Sequence, residues 1–356
     1  MKKITSAIIL AGVFLAGAFA YNPPVGAEQL DNLASPTNLS GANSVTGGAL
    51  FNAGADSIVV NPALTAKEQR VNLNVGYTFL YSTEEYSESQ VGNAFQAAIM
   101  IPFKLYVFSG YANFVGVPFD EMYLQNSFNA KLGLSKEINE KLDVGLSISG
   151  GYAWKYGSDW SLCGNLGFLY NYGNLGFMKD FRIGFSALNL GKVYSDVVRK
   201  GVKVDVENEP GSSAYPTLAT IKFGAAGTLL ENDVVKIGTG LDFTIPCFQN
   251  FIADLNFQVA LKKVFVISIN EKFNLVETMN SHYSFIPSVS FLFNFSFDVK
   301  NNNYLENKGW SQSEMSVYAG YKNLYKTAHA ISAGADIDLG MADNEPPQII
   351  LWDEKE

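Results

Sequence analysis

Residues 283–299 read YSFIPSVSFLFNFSFDV. Every odd position is apolar: Tyr283, Phe285, Pro287, Val289, then Phe291, Phe293, Phe295 and Phe297, and finally Val299. The even positions are mostly polar, namely Ser284, Ser288, Ser290, Asn294, Ser296 and Asp298, with Ile286 and Leu292 as exceptions. Strict period-2 alternation predicts a β-strand with two unlike faces. A face with four consecutive phenylalanines needs a cover, either a protein core or the hydrocarbon of a membrane.

The same alternation fills the chain from residue 70 onward. It runs through Val71, Leu73, Val75, Tyr77, Phe79 and Tyr81, with Asn72, Asn74, Gly76 and Thr78 on the opposite face. It returns over 95–101, 142–154, 160–170, 181–187, 221–225, 235–243, 251–261, 315–321 and 329–339, and Asn189 ends the apolar phase of the 181–187 segment. Weaker strands are read at 103–114, 127–136 and 263–273. The total is about 14 strands, joined by turn signals such as Asn139-Glu140-Lys141 and Glu231-Asn232-Asp233.

Two covers compete, a secreted β-sandwich and a membrane barrel. Lys2 and Lys3, the apolar run Ile8–Leu15 and Ala18-Phe19-Ala20 form a secretory signal peptide over 1–20. Its removal would take the net charge from −9 to about −11, since two lysines and no acid leave. No later apolar run approaches the ~18 residues of a spanning helix. Tyr and Trp cluster toward strand ends, at Tyr77 and Tyr81, Tyr152 and Trp154, Trp160, and Tyr170 with Tyr172. Such girdles mark both interfaces of an outer-membrane barrel. The polar faces carry Gly, Ser and Asn rather than the Lys and Glu of a water-exposed sheet. These features favour an all-β transmembrane antiparallel barrel over 70–340, in the outer membrane of a diderm bacterium. The long connections, including 191–217, then face outward, and 300–313 breaks the short-turn rule on the inner side.

Residues 21–69 are small and weakly periodic. Within them, 49–66 reads ALFNAGADSIVVNPALTA. Small residues, the pair Asp56-Ser57, a short apolar run and Asn61-Pro62-Ala63 just upstream of the first strand resemble the N-terminal hatch of FadL-type outer-membrane transporters. The chain departs from the family's pattern at Leu64, in its reduced length and in its tail. It resembles more closely the compact FadL-like proteins of spirochaetes. The resemblance implies a 14-stranded barrel stoppered by a hatch over 21–69; residues 341–356, beyond the last strand, are read as a periplasmic tail. It also implies passive uptake of hydrophobic small molecules such as long-chain fatty acids, with lateral exit at a kink in the third strand. Gly110, inside that strand, is the candidate gate, because a strand glycine marks a bulge or a close approach.

From the residues themselves, Pro62 biases Asn61 toward extended backbone, Asn61 is placed to cap a neighbour, and Asp56 and Ser57 are placed to start or cap a helical turn. Strand phase puts Leu80, Met100, Leu169, Ile252, Ile286 and Leu292 in the lumen as candidate ligand-lining residues. Asp143, Asp242, Asp254 and Asp298 fall on the same side, and are read as bracing the barrel through Lys131, Lys222 or Lys236.

Other chemistry is sparse. The acidic balance argues against nucleic acid as a partner. Cys163 and Cys247 allow one disulfide or two thiols. His282 and His329 form no triad and no zinc spacing, and Gly47, Gly48 and Gly54 match no phosphate loop. The reading is therefore a non-enzymatic, cofactor-free and metal-free monomer whose partners are a hydrophobic ligand and outer-membrane lipid. The alternatives are a general diffusion porin and a surface adhesin or secretion shuttle built on the same barrel.

Overall fold

The computed structural model describes residues 30–339 apart from 69, 84–89, 119–125, 155–157, 193–218, 247, 249, 263, 280–282 and 299–311, and apart from the side chains of 296–298 and 312. The signal segment 1–20, the tail 341–356, Cys247, His282, the Asp298 side chain and nearly all of 191–217 and 300–313 lie outside the described residues.

Fourteen antiparallel strands close into one barrel. They are β1 (Val71–Ser82), β2 (Val91–Pro102), β3 (Val107–Gly116), β4 (Asn126–Asn139), β5 (Leu142–Trp154), β6 (Asp159–Leu175) and β7 (Met178–Lys192). The second half comprises β8 (Thr220–Glu231), β9 (Val235–Pro246), β10 (Ile252–Leu261), β11 (Phe265–Asn274), β12 (Ser288–Asp298), β13 (Gln312–Leu324) and β14 (Ala328–Leu339). Each strand pairs with its sequence neighbours, and β1 pairs with β14 in register from Val71↔Leu339 to Ser82↔Ala328. No sheet edge is left to meet lipid, which a membrane sheet requires because hydrocarbon offers no hydrogen-bond partner.

Burial alternates along the strands as the sequence alternates. Leu146 (62% exposed) and Ile148 (59%) stand outward on β5, while Ser147 and Ser149 are buried inside. The opening question is answered on β12. Phe291, Phe293 and Phe295 all face outward, and the Phe291 ring stacks on Phe265 of β11 at 6.1 Å. Tyr152, Trp154 and Phe114 stack at one rim. No helix among the described residues is long and apolar enough to cross a membrane.

Three boundaries differ from the sequence reading. Residues 283–287 precede β12 rather than extending it, since Pro287 has no N–H to donate and pairing with β11 stops at Asn270↔Ser288. The third strand starts at Val107, because 103–106 form a tight turn closed by Phe103 N–H donating to the Tyr106 carbonyl at 2.8 Å. The lost phase at Asn189 is a bulge: its φ is +57°, and the register shifts opposite Asn165.

At the end of the barrel where β1 begins and β14 ends, connections such as 140–141, 176–177 and 232–234 are short, and 299–311 is the long exception. Those at the opposite end are longer, such as 83–90 and 275–287, the latter holding the short helix α2 (Leu275–Met279). Because Ile148 sits mid-strand on the lipid face, Ile148→Arg should cost about 2–4 kcal/mol. Urea unfolding in lipid vesicles, compared with the original chain, measures it.

Candidate functional site

The lumen is filled by chain. Residues 30–66 lie inside the barrel and make no strand. They form a single turn of α-helix, α1 (Pro36–Leu39), and two 3-10 helices, Ala55–Val59 and Pro62–Thr65. Their sequence explains the turns. Ser35 caps α1, its Oγ accepting from Asn38 N–H at 3.3 Å, with Pro36 in the first helical position. Asn61 caps the second 3-10 helix, its Oδ1 accepting from Ala63 N–H at 3.0 Å, again followed by proline. Leu64, where the chain departs from the family's pattern, is buried against Leu169.

A segment without a sheet must find other partners for its backbone, and here lumen side chains supply them. Asn61 Nδ2 donates to the Val45 carbonyl (2.8 Å) and to the Phe168 carbonyl of β6 (3.1 Å). Gln258 accepts from Leu50 N–H at 2.7 Å and donates to the Ala42 carbonyl at 3.1 Å. Arg182, buried in β7, donates to the carbonyls of Thr46 (2.8 Å) and Gly48, and its guanidinium lies 5.2 Å from the Phe51 ring centre. Sequence reasoning missed Arg182, although its place between outward Phe181 and Ile183 put it in the lumen.

Two lumen glycines let the backbone of the Asn61-Pro62-Ala63 turn touch the wall. A Cβ on Gly145 would fall 2.3 Å from the Pro62 carbonyl, and one on Gly167 would fall 2.0 Å from Asn61 Oδ1. The motif and these glycines are therefore complementary surfaces.

Asp56 does not cap its helix. Gly54 holds the cap position, and Asp56 instead accepts from Ser35 Oγ and from Thr37 Oγ1 at 3.0 Å. Ser57 accepts from Asn43 Nδ2 at 3.0 Å. Burial pushes the Asp56 carboxyl above its ordinary value of 3.8, against the two hydroxyl donors.

The bracing ion pairs differ from expectation as well. Lys131 meets Asp31 of the inner segment at 3.0 Å, and Asp143 meets Lys67 at 3.7 Å. Asp242 accepts from Val45 N–H at 2.8 Å, while Lys236 pairs with Asp180 and Glu231 near the terminal end. Among the described residues Lys131–Asp31 ties the inner segment to the wall, while Lys179–Glu231, Lys192–Asp159, Lys236–Asp180 and Lys236–Glu231 join strand to strand. Among the described residues Lys222 forms no such pair.

Of the nominated lining residues, Leu80, Met100, Leu169, Ile252 and Leu292 are buried. Leu80, Met100 and Leu169 pack against the inner segment rather than a void. Ile286 is 51% exposed in the connection before β12, which corrects its lumen assignment. Gly110 is corrected too. It pairs without interruption with Ile99 on one side and Leu132 on the other, on the outer face, where a Cβ would meet Ile99, Phe108 and Leu132. The ladder between β11 and β12 instead ends at Asn270↔Ser288, so among the described residues Glu271–Asn274 have ladder partners in β10 alone.

Near that place a chamber of about 80 Å³ remains between the inner segment and strands β7–β11 and β13. Val59, Val60 and Ile252 give it an apolar part, but Lys222, Lys272, Asp242 and Asp254 make it strongly polar. It shares Asn270, Lys272 and Lys322 with a smaller cleft of about 20 Å³ that reaches Ile286. Cys163 is buried, with Sγ 3.3 Å from the Lys192 carbonyl, and His329 Nδ1 lies 2.9 Å from the Tyr321 hydroxyl. Among the described residues no three His, Cys, Asp or Glu side chains gather to hold a metal ion.

No protein-family model matches the chain, and no curated protein matches it. Solved structures do. The Ralstonia pickettii toluene transporter TbuX aligns over 88% of this chain and 100% of its own, at 10% identity and a TM-score of 0.53. The CymD monoaromatic hydrocarbon channel aligns over 88% and 100%, at 14% identity and a TM-score of 0.50. This chain has the FadL-type transporter fold. The FadL-type barrel accounts for strand number and closure, and the likeness goes no further than fold.

Two measurements test how the FadL-type lumen holds its inner segment. Gly145→Val overpacks the contact with Pro62 at about 1–3 kcal/mol, which should speed amide exchange over 35–66 by roughly ten- to hundredfold; Gly150→Val, with nothing closer than 3.6 Å, should not. The second concerns pH. Because folded Asp56 binds its proton more tightly than the unfolded chain does, stability is lost as pH rises from 3.8 through the raised folded value, and is then flat. Asp56→Asn should remove that slope in amide protection and leave protection at pH 7 equal or higher.

Proposed function

We propose that this chain is an outer-membrane uptake channel for small hydrophobic compounds, with residues 21–69 acting as a hatch. In this reading residues 1–20 export the chain, 341–356 form a periplasmic tail and the barrel works as a monomer. The observation that carries it is the lumen: a closed barrel of FadL-type fold whose interior is occupied by its own N-terminal segment. A diffusion porin needs an open aqueous lumen, and this packing disfavours one. The hydrocarbon cargoes named for TbuX and CymD support a hydrophobic ligand here. The chamber of about 80 Å³ suits compact cargo better than an extended long-chain fatty acid. In this reading entry runs at the loop end, where the β11–β12 ladder stops and the small cleft shares Asn270, Lys272 and Lys322 with the chamber.

The test has two arms. In planar bilayers the intact chain should show little steady conductance, and a variant lacking residues 30–66 should show a large one. Diderm cells displaying the intact chain should take up radiolabelled toluene several-fold faster than cells without it. Large steady conductance from the intact chain would establish the porin instead, and unchanged toluene uptake would remove the cargo assignment.

A further inference from the structure

Some large apolar side chains stand off the strands altogether. Phe285 is 84% exposed and Met279 75%, and both lie in the connection between β11 and β12 at the loop end. Large apolar side chains displayed together mark a contact surface. The surface is also held in place. Leu275 N–H donates to the Phe251 carbonyl at 3.0 Å and Val276 N–H to Asn250 Oδ1 at 3.2 Å. Asn274 Nδ2 donates to Glu277 Oε1 at 2.8 Å, which turns the one charge of α2 back to the wall and leaves Leu275 and Met279 outward.

The rings here continue a row that the outer wall already carries. Phe223 of β8 lies 5.1 Å from Phe243 of β9, and Phe243 lies 5.6 Å from Phe251, one residue before β10. Phe243 and Phe273 both pair with Ala253, so Phe273 of β11 stands at the same height. From Phe273 the row leaves the strands. Tyr283 is 6.0 Å away, and Phe285 packs edge-on against Tyr283 at 4.6 Å. A belt of rings on the lipid side of a barrel marks the boundary between hydrocarbon and headgroups. The exposed patch is therefore continuous with the lipid-facing wall rather than separate from it.

Two observations set its depth. The β11–β12 ladder stops at Asn270↔Ser288, and Glu271, Lys272 and Phe273 run on with ladder partners in β10 alone, among the described residues. Wall beyond the end of a ladder does not suit hydrocarbon, which offers a backbone group no partner. Glu271 also shares the outward phase of Ile269 and Phe273, and its Oε1 accepts from the Tyr283 hydroxyl at 2.8 Å. A carboxylate on the lipid side belongs among headgroups and not among acyl chains. We propose that α2 and residues 283–286 form an interfacial anchor, lying in the headgroup layer of the outer leaflet with Met279, Tyr283 and Phe285 as its lipid contacts. The inference goes beyond the uptake reading and rests only on its membrane placement.

Depth-resolved fluorescence quenching tests the anchor on the full chain in lipid nanodiscs, where both rims meet water. Cys163→Ser and Cys247→Ser clear the native thiols, and Phe285→Cys then carries a single NBD label; Met279→Cys takes its place should that variant misfold. Ile148→Cys, mid-strand on the lipid face, and Lys326→Cys, in the exposed turn between β13 and β14, are the references. The label at Phe285 should be quenched about threefold or more strongly by a lipid with a headgroup nitroxide than by iodide in the water. The Ile148 label should respond most to a mid-chain nitroxide lipid, and the Lys326 label to iodide. Iodide quenching at Phe285 equal to that at Lys326 would place the segment in water and overturn the anchor. Strongest quenching by the mid-chain nitroxide would place it among acyl chains, and overturn the headgroup assignment. Either result with lipid quenching intact at Ile148 spares the membrane barrel and the uptake reading; no lipid quenching at Ile148 would sink the membrane placement and the anchor with it.

Discussion

Everything in this molecule follows from one constraint: in hydrocarbon, a backbone N–H or C=O has no partner except another backbone group. Hairpins between neighbouring strands satisfy most of that demand. The two outermost strands satisfy the rest only by finding each other, as β1 and β14 do from Val71↔Leu339 to Ser82↔Ala328. Closure then divides every strand into a lipid side and a lumen side. It is this division, more than strand propensity, that writes period two into the sequence. The Phe291, Phe293 and Phe295 row and the buried Ser147 and Ser149 are two consequences of one geometry.

The lumen inherits the complementary problem. It is too wide for the wall's own side chains to fill and too polar to pack as a hydrophobic core. Asn, Gln, Ser and Thr side chains point into it, and the inner segment presents unpaired backbone groups that these side chains satisfy. Gln258 on Leu50 and Ala42 and Arg182 on Thr46 and Gly48 are instances of this exchange, and Asn61 of the segment runs it in reverse by donating to the Phe168 carbonyl of β6. Apolar anchors complete it, with Leu33 and Leu39 meeting Leu80 and Ala330, and Ile58 meeting Met100.

The barrel was legible because its two faces meet such different surroundings that a single residue reports its side. Legibility failed where the chain leaves that regime. Asn189 adopts a left-handed conformation in a bulge, and Pro287 stops a strand whose alternation continues on paper. The Asn61-Pro62-Ala63 turn could be read locally, because capping and proline geometry are short-range. Its partners Gly145 and Gly167 could not, since they lie about a hundred residues away and nothing in their own neighbourhood marks them. The chamber is the extreme case. Asn43, Lys222, Asp242 and Lys272 come from four distant stretches, and strand phase offers the side of the wall but not the height at which they meet.

The seam between β1 and β14 also bears on how the molecule is made. Every other strand pair joins sequence neighbours, whereas this one joins residues more than 240 positions apart, so it carries the largest loop-closure cost in the barrel. The inner segment immediately precedes β1 and touches the seam from within: Thr78 donates to the Leu33 carbonyl and lies 2.6 Å from Ser332 of β14. The inner segment thus sits beside the seam and packs on both of the strands that close it, with Pro36 against Gly76 of β1 and Gly334 of β14.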